Sequence, residues 1–233
     1  MSAVLDALRR KSAAGLVPVI PDFKMVSPAD GPLFEGRDPV AAAAEMARAG
    51  APVLSVVTEE TSFGGSLALL REIVKASGLP VLRKDFIRCV RDVEETADCG
   101  AAAVLLICAS MEEAVLHACF HAALALGLEP LVEAHTAEEL ALAARLGCRF
   151  AGINNRDILA LERDGGTVAR TADLAALKPP GAFLLSESGL QTPADVRRAI
   201  RGGADGVLVG TAIWRAADPF AFYDALCRAE AAP

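Results

Sequence analysis

Lys84 stands at the end of a short apolar run in this sequence, between Arg83 and Asp85. The run begins at Leu79 and reads as a buried strand, so Lys84 would emerge where the core meets solvent. A lysine held at such a boundary is partly desolvated, and its pKa falls toward the range that is useful for proton transfer. The simpler interpretation is that Lys84 solvates the end of a strand, since most charged side chains lie outside the core. The way in which the other apolar runs end separates these two interpretations.

Most of the other apolar runs also end in residues that can transfer protons or bind polar groups. These strand-end residues are Asp22 and Lys24, Thr58, Glu133, Asn154 and Arg156, Glu187 and Ser188, and Gly210 and Thr211. Lysines and carboxylates that converge on one place shift each other's pKa values, as a site for acid–base chemistry requires. A structural network of ion pairs would place the same residue types together, and the pattern leaves that alternative open.

The segments that must position these residues alternate between strand and helix along the whole chain. Short apolar runs without polar alternation predict strands that are buried on both faces, as in a parallel sheet. Each run is followed by a segment of helical spacing, in places opened by a cap such as Asp38-Pro39 or Thr192-Pro193. The eight strand–helix repeats fit either a doubly wound sheet or a closed (β/α)8 barrel. The number of repeats, and the absence of a G-x-G-x-x-G turn after the first strand, favour the barrel.

The predicted fold class is therefore α/β, a single-domain (β/α)8 TIM barrel that spans residues 1–233 and includes a short helical extension at residues 1–15. The C-terminal ends of barrel strands form one mouth, so we expect the strand-end residues to meet there. The loops after the seventh and eighth strands of a barrel often bind phosphate through backbone N–H groups, which requires small residues. Ser188-Gly189 and Gly210-Thr211 occupy those positions, although ordinary turns would have the same composition.

Composition narrows the class of protein. Of the 233 residues 53% are hydrophobic, and the net charge is −7 without a basic block, which disfavours nucleic-acid binding. The six cysteines contain no C-x-x-C pair and mostly lie among alanine or leucine residues, as expected of reduced thiols in the cytoplasm. No apolar segment has the length of a membrane span, and the N-terminus lacks the apolar core of a signal peptide. We expect a cytoplasmic protein, a monomer or weak homo-oligomer, with neither nucleic acid nor membrane as partner.

Strings at six strand ends are similar to those of a known enzyme family. They are Asp22-Phe23-Lys24-Met25-Val26-Ser27-Pro28, Leu82-Arg83-Lys84-Asp85-Phe86, Leu131-Val132-Glu133-Ala134-His135, Gly152-Ile153-Asn154-Asn155-Arg156-Asp157, Ser186-Glu187-Ser188-Gly189 and Leu208-Val209-Gly210-Thr211. In these strings the chain resembles indole-3-glycerol phosphate synthase, the (β/α)8 enzyme of tryptophan biosynthesis. The similarity begins at about residue 17 and follows the family's strand order, and the Gly-Ile-Asn-Asn-Arg-Asp string is highly specific.

The resemblance implies a reaction, the ring closure of 1-(2-carboxyphenylamino)-1-deoxyribulose 5-phosphate with loss of CO2 and water. Lys84 would be the general acid at the carbonyl during ring closure, and Glu133 would take part in proton transfer during dehydration. Lys24 would lie near the substrate carboxylate and phosphate, with Asp22 as the carboxylate of the first strand. No metal or organic cofactor is implied, because the lysines and carboxylates supply the protons.

The resemblance also implies the remaining contacts with the phosphorylated substrate. The residues that would bind hydroxyl groups and order the lysines are Asn154, Arg156, Glu187 and Ser188, and those that would bind phosphate are Gly189, Gly210 and Thr211. Ser27 would make a further substrate contact. The residues that would pack against the anthranilate ring are Phe63, Phe86 and either Leu105 or Leu106.

A few positions differ from the family pattern. Asp22 stands where the family has glutamate, Met25 where a basic residue is usual, and Thr211 where serine is more usual, and the N-terminal extension is short. These differences leave open a paralogue that acts on another phosphorylated, sugar-like substrate, or a barrel that binds phosphate without catalysis. Retention of both Lys84 and Glu133 argues against a mere binder. The neighbouring phosphoribosylanthranilate isomerase is disfavoured, since Asp22 and Lys24 stand where that enzyme is expected to have a cysteine base.

Four further residues could be interpreted as functional. His117 and His121 are four apart on one predicted helix, but without a third ligand we expect surface or packing histidines there. Trp214, the only tryptophan, is expected to pack at the loop after the last strand. His135 follows Glu133 closely and would stand near the mouth, without an assigned role.

Overall fold

The computed structural model describes residues 2–156 and 168–229. Its first element is helix α1 (Ala3–Ala13), which begins after Ser2, whose side chain accepts a hydrogen bond from the backbone. The buried face of α1 packs against apolar side chains near the beginnings of the barrel strands, Ile20 and Phe150 among them. The predicted short N-terminal helix is confirmed, and it covers the end of the barrel opposite the expected mouth.

Eight parallel strands close into a barrel. They are β1 (Val19–Phe23), β4 (Leu54–Val57), β5 (Val81–Lys84), β6 (Ala103–Ile107), β7 (Glu129–Ala134), β8 (Phe150–Asn154), β9 (Phe183–Glu187) and β10 (Gly206–Val209), while β2 (Val26–Ser27) and β3 (Gly31–Pro32) form a separate hairpin. The ring closes because β1 pairs with both β4 and β10, as the registers Asp22↔Ser55 and Val19↔Val207 record. The barrel prediction is confirmed, since a doubly wound sheet would leave its edge strands unpaired. That residues 1–233 form one domain stays a prediction.

Helices surround the barrel strands. They are α2 (Pro39–Arg48), α3 (Leu67–Ser77), α4 (Val90–Asp98), α5 (Glu113–Ala125), α6 (Ala137–Arg145), α7 (Ala169–Leu174), α8 (Pro193–Arg201), α9 (Thr211–Arg215) and α10 (Pro219–Cys227). The predicted caps are present: the Asp38 side chain accepts a hydrogen bond from the Val40 N–H at 2.9 Å, and Thr192 forms a capping box with Asp195. Within the described ranges no helix has both the length and the apolar composition of a membrane span.

Successive side chains of a strand alternate between the barrel interior and the layer beneath the helices. Leu82 and Leu105 belong to the interior cluster, whereas Val81 and Leu106 pack with the surrounding helices. Of the two leucines proposed for the anthranilate ring, Leu105 is therefore the one that faces inward. The same alternation decides which polar side chains at the strand ends can reach the mouth.

A hairpin that the sequence pattern does not predict lies between Ser27 and Arg37. Strands β2 and β3 pair there in antiparallel fashion, with Ser27 opposite Gly31. The hairpin is anchored because the Leu33 N–H donates to the Met25 carbonyl at 2.9 Å and the Leu33 side chain is buried. Its strands are only two residues long, so the sequence carries no alternating pattern that would indicate them.

The beginning of α4 and the segment after β10 are defined by the structure. Helix α4 begins at Val90, because the Asp92 carboxylate accepts hydrogen bonds from the N–H groups of Arg88 and Cys89 and so caps the helix there. After β10 the chain enters α9 directly at Thr211, where only a loop was expected.

Candidate active site

Strand alternation separates Lys84 from the two charged residues beside it. Arg83 and Asp85 lie outside the barrel and pair with each other, with 2.9 Å between Nη2 and Oδ2. Arg83 also donates to the Thr58 and Thr96 hydroxyls at 2.9 and 3.1 Å, so Thr58 serves this outer network and not the mouth. Lys84 points the other way and lines the cavity at the C-terminal end of the barrel. The structure thus assigns Lys84 to the interior and its neighbours to a structural ion pair.

One cavity collects most of the predicted site residues. Its empty space, including the open mouth, is about 520 Å³. The predicted residues that line it are Asp22, Lys24, Lys84, Arg156, Ser188, Gly189, Gly210 and Thr211. Asp30, Leu190 and Gln191 line it as well and were not predicted. Glu133, Asn154, Glu187, Ser27, Phe63 and Phe86 are not among the lining residues.

Two predicted carboxylates are buried inside the barrel, next to this cavity. Glu133 is fully buried, and Glu187 is 1% exposed. Within the described part of the chain, neither carboxylate has a hydrogen-bond partner. Buried polar groups in folded proteins are nearly always hydrogen-bonded, and an unpartnered carboxylate is costly. Two such groups within one barrel are therefore candidates for contacting a ligand that the barrel is built to hold.

The pKa of Glu187 is affected by charged side chains from three other strands. The pKa of Glu187 is raised to about 8, chiefly by burial and also by the negative charges of Glu133 and Asp22, while the Lys84 ammonium opposes the rise. These groups come from β9, β7, β1 and β5, so the expected convergence of lysine and carboxylates occurs. A carboxyl with this pKa can hold a proton near neutral pH, which is what acid–base catalysis requires.

Gly152 provides the space in which the Glu187 carboxylate lies. A Cβ atom built on Gly152 would overlap Glu187 Oε1 and would approach Leu131 Cδ1 to 3.5 Å. The strands make this contact because β8 and β9 are neighbours and Gly152 lies opposite Leu185 in their register. The first residue of the Gly-Ile-Asn-Asn-Arg-Asp string is thus a requirement of the site.

Asp22 is held from three sides at the end of β1. Its Oδ1 accepts a hydrogen bond from the Ser55 hydroxyl at 2.6 Å, and its backbone carbonyl accepts one from Trp214 Nε1 at 2.7 Å. A Cβ atom on Gly210 would lie 3.3 Å from Asp22 Oδ2, so the glycine allows a close approach. Trp214 packs where expected, against the Phe23 ring at a centroid distance of 4.6 Å. The short carboxylate therefore fits a place made for it.

Lys24 lies beside one of the predicted aromatic residues. Its Nζ is 5.8 Å from the centroid of the Phe63 ring, within the range of a cation–π contact. The loop that carries Phe63 is fixed because Glu59 accepts hydrogen bonds from the N–H groups of Ser62 and Phe63 at 2.7 and 3.0 Å. Phe86 packs on the interior cluster.

Asn155 shapes the end of β9. Its Nδ2 donates to the carbonyls of Glu187 and Ser188 at 2.9 and 3.1 Å, and its Oδ1 accepts from Thr171 of α7. Among the described residues, Ser188 is the one non-glycine with a positive φ, at 65°. This backbone conformation is strained for a residue with a Cβ atom and recurs at functional sites. Asn155 thus holds the Ser188-Gly189 turn open toward the cavity.

Asn154 and Arg156 are fixed mainly through the backbone. The Asn154 side chain accepts a hydrogen bond from the Arg156 N–H at 3.0 Å, and Arg170 Nη1 donates to the carbonyls of both residues at 2.8 and 2.9 Å. Ser27 is buried beside Asp30, and their side chains are 3.2 Å apart. Asp157, the last residue of the string, lies outside the described residues.

Comparison with known proteins decides the family. A family model described as indole-3-glycerol phosphate synthase matches residues 2–226. The chain belongs to the indole-3-glycerol phosphate synthase family. The indole-3-glycerol phosphate synthase of Pyrococcus furiosus is 44% identical over 207 residues, which cover 87% of this chain and 88% of that relative. The proteins of the same name from Thermococcus kodakarensis and Kineococcus radiotolerans are 42% identical over 212 residues and 43% identical over 203 residues. These matches cover 91% and 87% of this chain and 92% and 73% of the relatives.

The supporting residues of this indole-3-glycerol phosphate synthase family member were mostly missed by sequence reasoning. They are Ser55, Gly152, Asn155, Arg170 and the donor role of Trp214. Gly152 and Asn155 lie inside the Gly-Ile-Asn-Asn-Arg-Asp string. The resemblance therefore included both residues but did not indicate their structural roles. Ser55 and Arg170 carry no signal in the sequence, because their partners are distant along the chain.

The two outer histidines of this family member behave as expected. His117 and His121 lie on the exposed face of α5 with ring centroids 4.5 Å apart. Across residues 2–156 and 168–229, no group of three or more His, Cys, Asp or Glu side chains could hold a metal ion. The expectation that catalysis needs no cofactor stays a prediction.

Proposed function

We propose that this chain is a carboxy-lyase that closes the ring of 1-(2-carboxyphenylamino)-1-deoxyribulose 5-phosphate, with loss of CO2 and water, to give indole-3-glycerol phosphate. Membership of the indole-3-glycerol phosphate synthase family supports the activity. The observation that carries the proposal is the set of ionisable groups around Glu187, which brings Lys84, Asp22 and Glu133 to one interior site. A barrel that only bound phosphate would have no use for a buried acid–base set.

In this proposal Lys84 is the general acid of the ring closure. The aromatic carbon that carries the carboxylate attacks the ketone carbon, and Lys84 protonates the ketone oxygen as the new bond forms. CO2 then leaves, and the electrons of its bond return to the ring. The position of Lys84 on the cavity wall, with Glu187 and Glu133 behind it, supports this role.

Glu133 takes part in the dehydration that follows. The new hydroxyl leaves as water after it gains a proton, and the neighbouring sugar carbon loses a proton to form the double bond of the indole. A buried carboxylate without a hydrogen-bond partner among the described residues is suited to exchanging these protons. Glu187, Asn154 and Arg156 bind hydroxyl groups and keep the lysines in place, and Asp22 is the carboxylate of the first strand.

The two ends of the substrate are bound by different parts of the cavity. The wall formed by Ser188, Gly189, Gly210 and Thr211 supports phosphate binding there, since small residues let backbone N–H groups approach an anion. Phe63, Phe86 and Leu105 pack against the anthranilate ring, and Lys24 lies between the rings and the anionic groups. Ser27 contacts the substrate from the β2–β3 hairpin.

We also propose a cytoplasmic enzyme that acts on this small phosphorylated molecule as a monomer or weak homo-oligomer, without nucleic acid. The free state of all six cysteines supports a reducing compartment. The net charge of −7 supports the absence of a nucleic-acid partner.

The test is turnover of the carboxyphenylamino-deoxyribulose phosphate by the purified protein, followed by the fluorescence of the indole product. Lys84→Met is expected to lower kcat by about a thousandfold while the variant stays folded. Arg83→Met is the matched control, since it removes a neighbouring cation from the outer network. It should lower the free energy of unfolding and have only a small effect on kcat. Absence of product at high concentration of the unmodified protein would contradict the proposed activity.

A further inference from the structure

His135 stands between two carboxylates at the end of β7. Its Nε2 is 3.7 Å from Glu133 Oε1, and its Nδ1 is 3.6 Å from Glu139 Oε2. Within the described ranges, both ring nitrogens and both Glu133 oxygens are buried without a hydrogen-bond partner. Buried polar atoms without a partner are unusual, because each would normally be hydrogen-bonded.

The three side chains form a row that leads from the barrel interior toward solvent. Exposure of the side chains rises from 0% at Glu133 to 11% at His135 and 20% at Glu139. Glu139 is fixed at the beginning of α6, because its carboxylate accepts a hydrogen bond from the His135 N–H and its own N–H donates to the Thr136 hydroxyl at 3.2 Å. The outer end of the row is therefore held in place.

The proposed reaction creates a need for such a row. The substrate enters with an ionised carboxylate and loses it as neutral CO2, so one proton must be taken up from solvent in each turnover. Two protons are consumed, one at the ketone oxygen and one at the departing hydroxyl, and the sugar carbon returns one. Glu133 is fully buried, so a proton from solvent needs a carrier to reach it.

We propose that His135 relays protons from Glu139 to Glu133. A proton passes from Glu139 Oε2 to Nδ1 of the ring while the Nε2 proton passes to Glu133 Oε1, so His135 gains one proton as it gives one, Glu133 gains the proton, and Glu139 takes up its replacement from solvent. The two gaps exceed hydrogen-bond length by less than 1 Å, and small side-chain rotations close them, as catalytic hydrogen bonds often tighten when substrate binds. Histidine suits the role because its two nitrogens can exchange donor and acceptor states.

The nearby thiol of Cys108 does not compete as a carrier. Burial raises its pKa to about 12, with the charges of Glu139 and Glu133 adding to the effect. It therefore remains protonated at any pH at which the enzyme would work. The relay rests on the proposed synthase activity, since a different reaction need not take up a proton.

The kinetic test uses His135→Ala with the carboxyphenylamino-deoxyribulose phosphate as substrate. We expect kcat to fall by about tenfold to a hundredfold with KM within about twofold of the unmodified enzyme. Added imidazole should restore kcat of His135→Ala in a saturable way and should not restore Lys84→Met. Glu139→Gln should show the same loss of kcat, and it keeps the oxygen that accepts the His135 N–H. Unchanged kcat, a loss without imidazole rescue, or a loss carried by KM would overturn the relay.

A spectroscopic measurement tests the contact without relying on turnover. An imidazole N–H bonded to a carboxylate gives a slowly exchanging, downfield proton resonance, which we expect in the unmodified protein with indole-3-glycerol phosphate bound, when the gaps have closed. It should vanish in His135→Ala, shift in Glu133→Gln and persist in His121→Ala, whose histidine is exposed on α5. Absence of the resonance from the unmodified protein contradicts the His135 contact. Absence of turnover by the unmodified protein contradicts the proposed activity, and the resonance then decides the contact alone.

Discussion

The carboxylate of Glu187 fills the space that any side chain at residue 152 would need. A Cβ atom on Gly152 would overlap Glu187 Oε1, although it would meet Leu131 Cδ1 only at ordinary contact distance. The atom in the way is the far end of a flexible side chain, so the backbone need not move. Gly152 therefore matters through Glu187 and not through its own conformational freedom.

Gly152→Ala is expected to leave the fold stable and to displace Glu187. Because a misplaced group in a catalytic site costs about a hundredfold, we expect kcat to fall by about that factor with little change in Tm. Comparison with Glu187→Gln and with the double variant measures the coupling. In the double variant Gly152→Ala should add little to the loss caused by Glu187→Gln, because the group that it displaces is already altered. Additive losses would show that Gly152 acts in another way.

The pKa of Glu187 predicts how stability depends on pH. Burial raises this pKa from its ordinary value of 4.5 to about 8, so between these values the folded protein binds a proton that the unfolded chain releases. The free energy of unfolding therefore falls as pH rises through this range. The glutamine of Glu187→Gln cannot ionise. Between about pH 5.5 and about pH 8.5 the Tm of this variant should therefore fall by a few degrees less than the Tm of the unmodified protein. An equal fall in Tm between the two pH values in the unmodified protein and in Glu187→Gln would contradict the raised pKa.

Asp22→Glu tests whether the pocket is built around the shorter carboxylate. The additional methylene would move the carboxylate away from the Ser55 hydroxyl, now at 2.6 Å, or press it against Gly210. We expect kcat/KM to fall by at least about tenfold, although the resemblance to the family implies glutamate at this position. Asp22→Asn, which keeps the size and removes the charge, separates fit from electrostatics. Activity equal to or above that of the unmodified enzyme would mean that Asp22 is only a weaker substitute for glutamate.

Trp214→Phe is expected to lower both stability and substrate affinity. The substitution keeps an aromatic ring against Phe23 but leaves the buried Asp22 carbonyl without its indole donor, at a cost of about 1–3 kcal/mol in the free energy of unfolding. Because α9 follows the Gly210-Thr211 wall, we expect KM to rise more than kcat falls. Unfolding should be followed by circular dichroism, since the variant contains no tryptophan.

Tyr223→Phe is the matched control for this substitution. The Tyr223 hydroxyl donates to the Val19 carbonyl at 3.4 Å, at the other end of the same strand β1. Tyr223→Phe should lower the free energy of unfolding and leave KM unchanged. A rise in KM in the control as large as that in Trp214→Phe would mean that any weakening of β1 disturbs the site.

The order of the eight barrel strands and of the helices that connect them, and the residues at most strand ends, were determined by the sequence alone. Buried parallel strands are continuous apolar runs, and each run ends abruptly where the chain leaves the core. Residues such as Lys84, Glu133 and Glu187 can therefore be assigned to strand ends from the sequence. Because a barrel gathers the C-terminal ends of its strands, their convergence could be predicted without coordinates.

Only the tertiary structure decided which of these residues face the interior and what holds them there. Arg83, Lys84 and Asp85 are alike in the sequence, yet alternation along β5 sends one into the cavity and pairs the other two outside it. The contact of Gly152 with Glu187 depends on how two strands lie side by side, and that of Ser55 with Asp22 on strands that are 33 residues apart. Such contacts are set by register and burial, which act between segments that no local pattern connects.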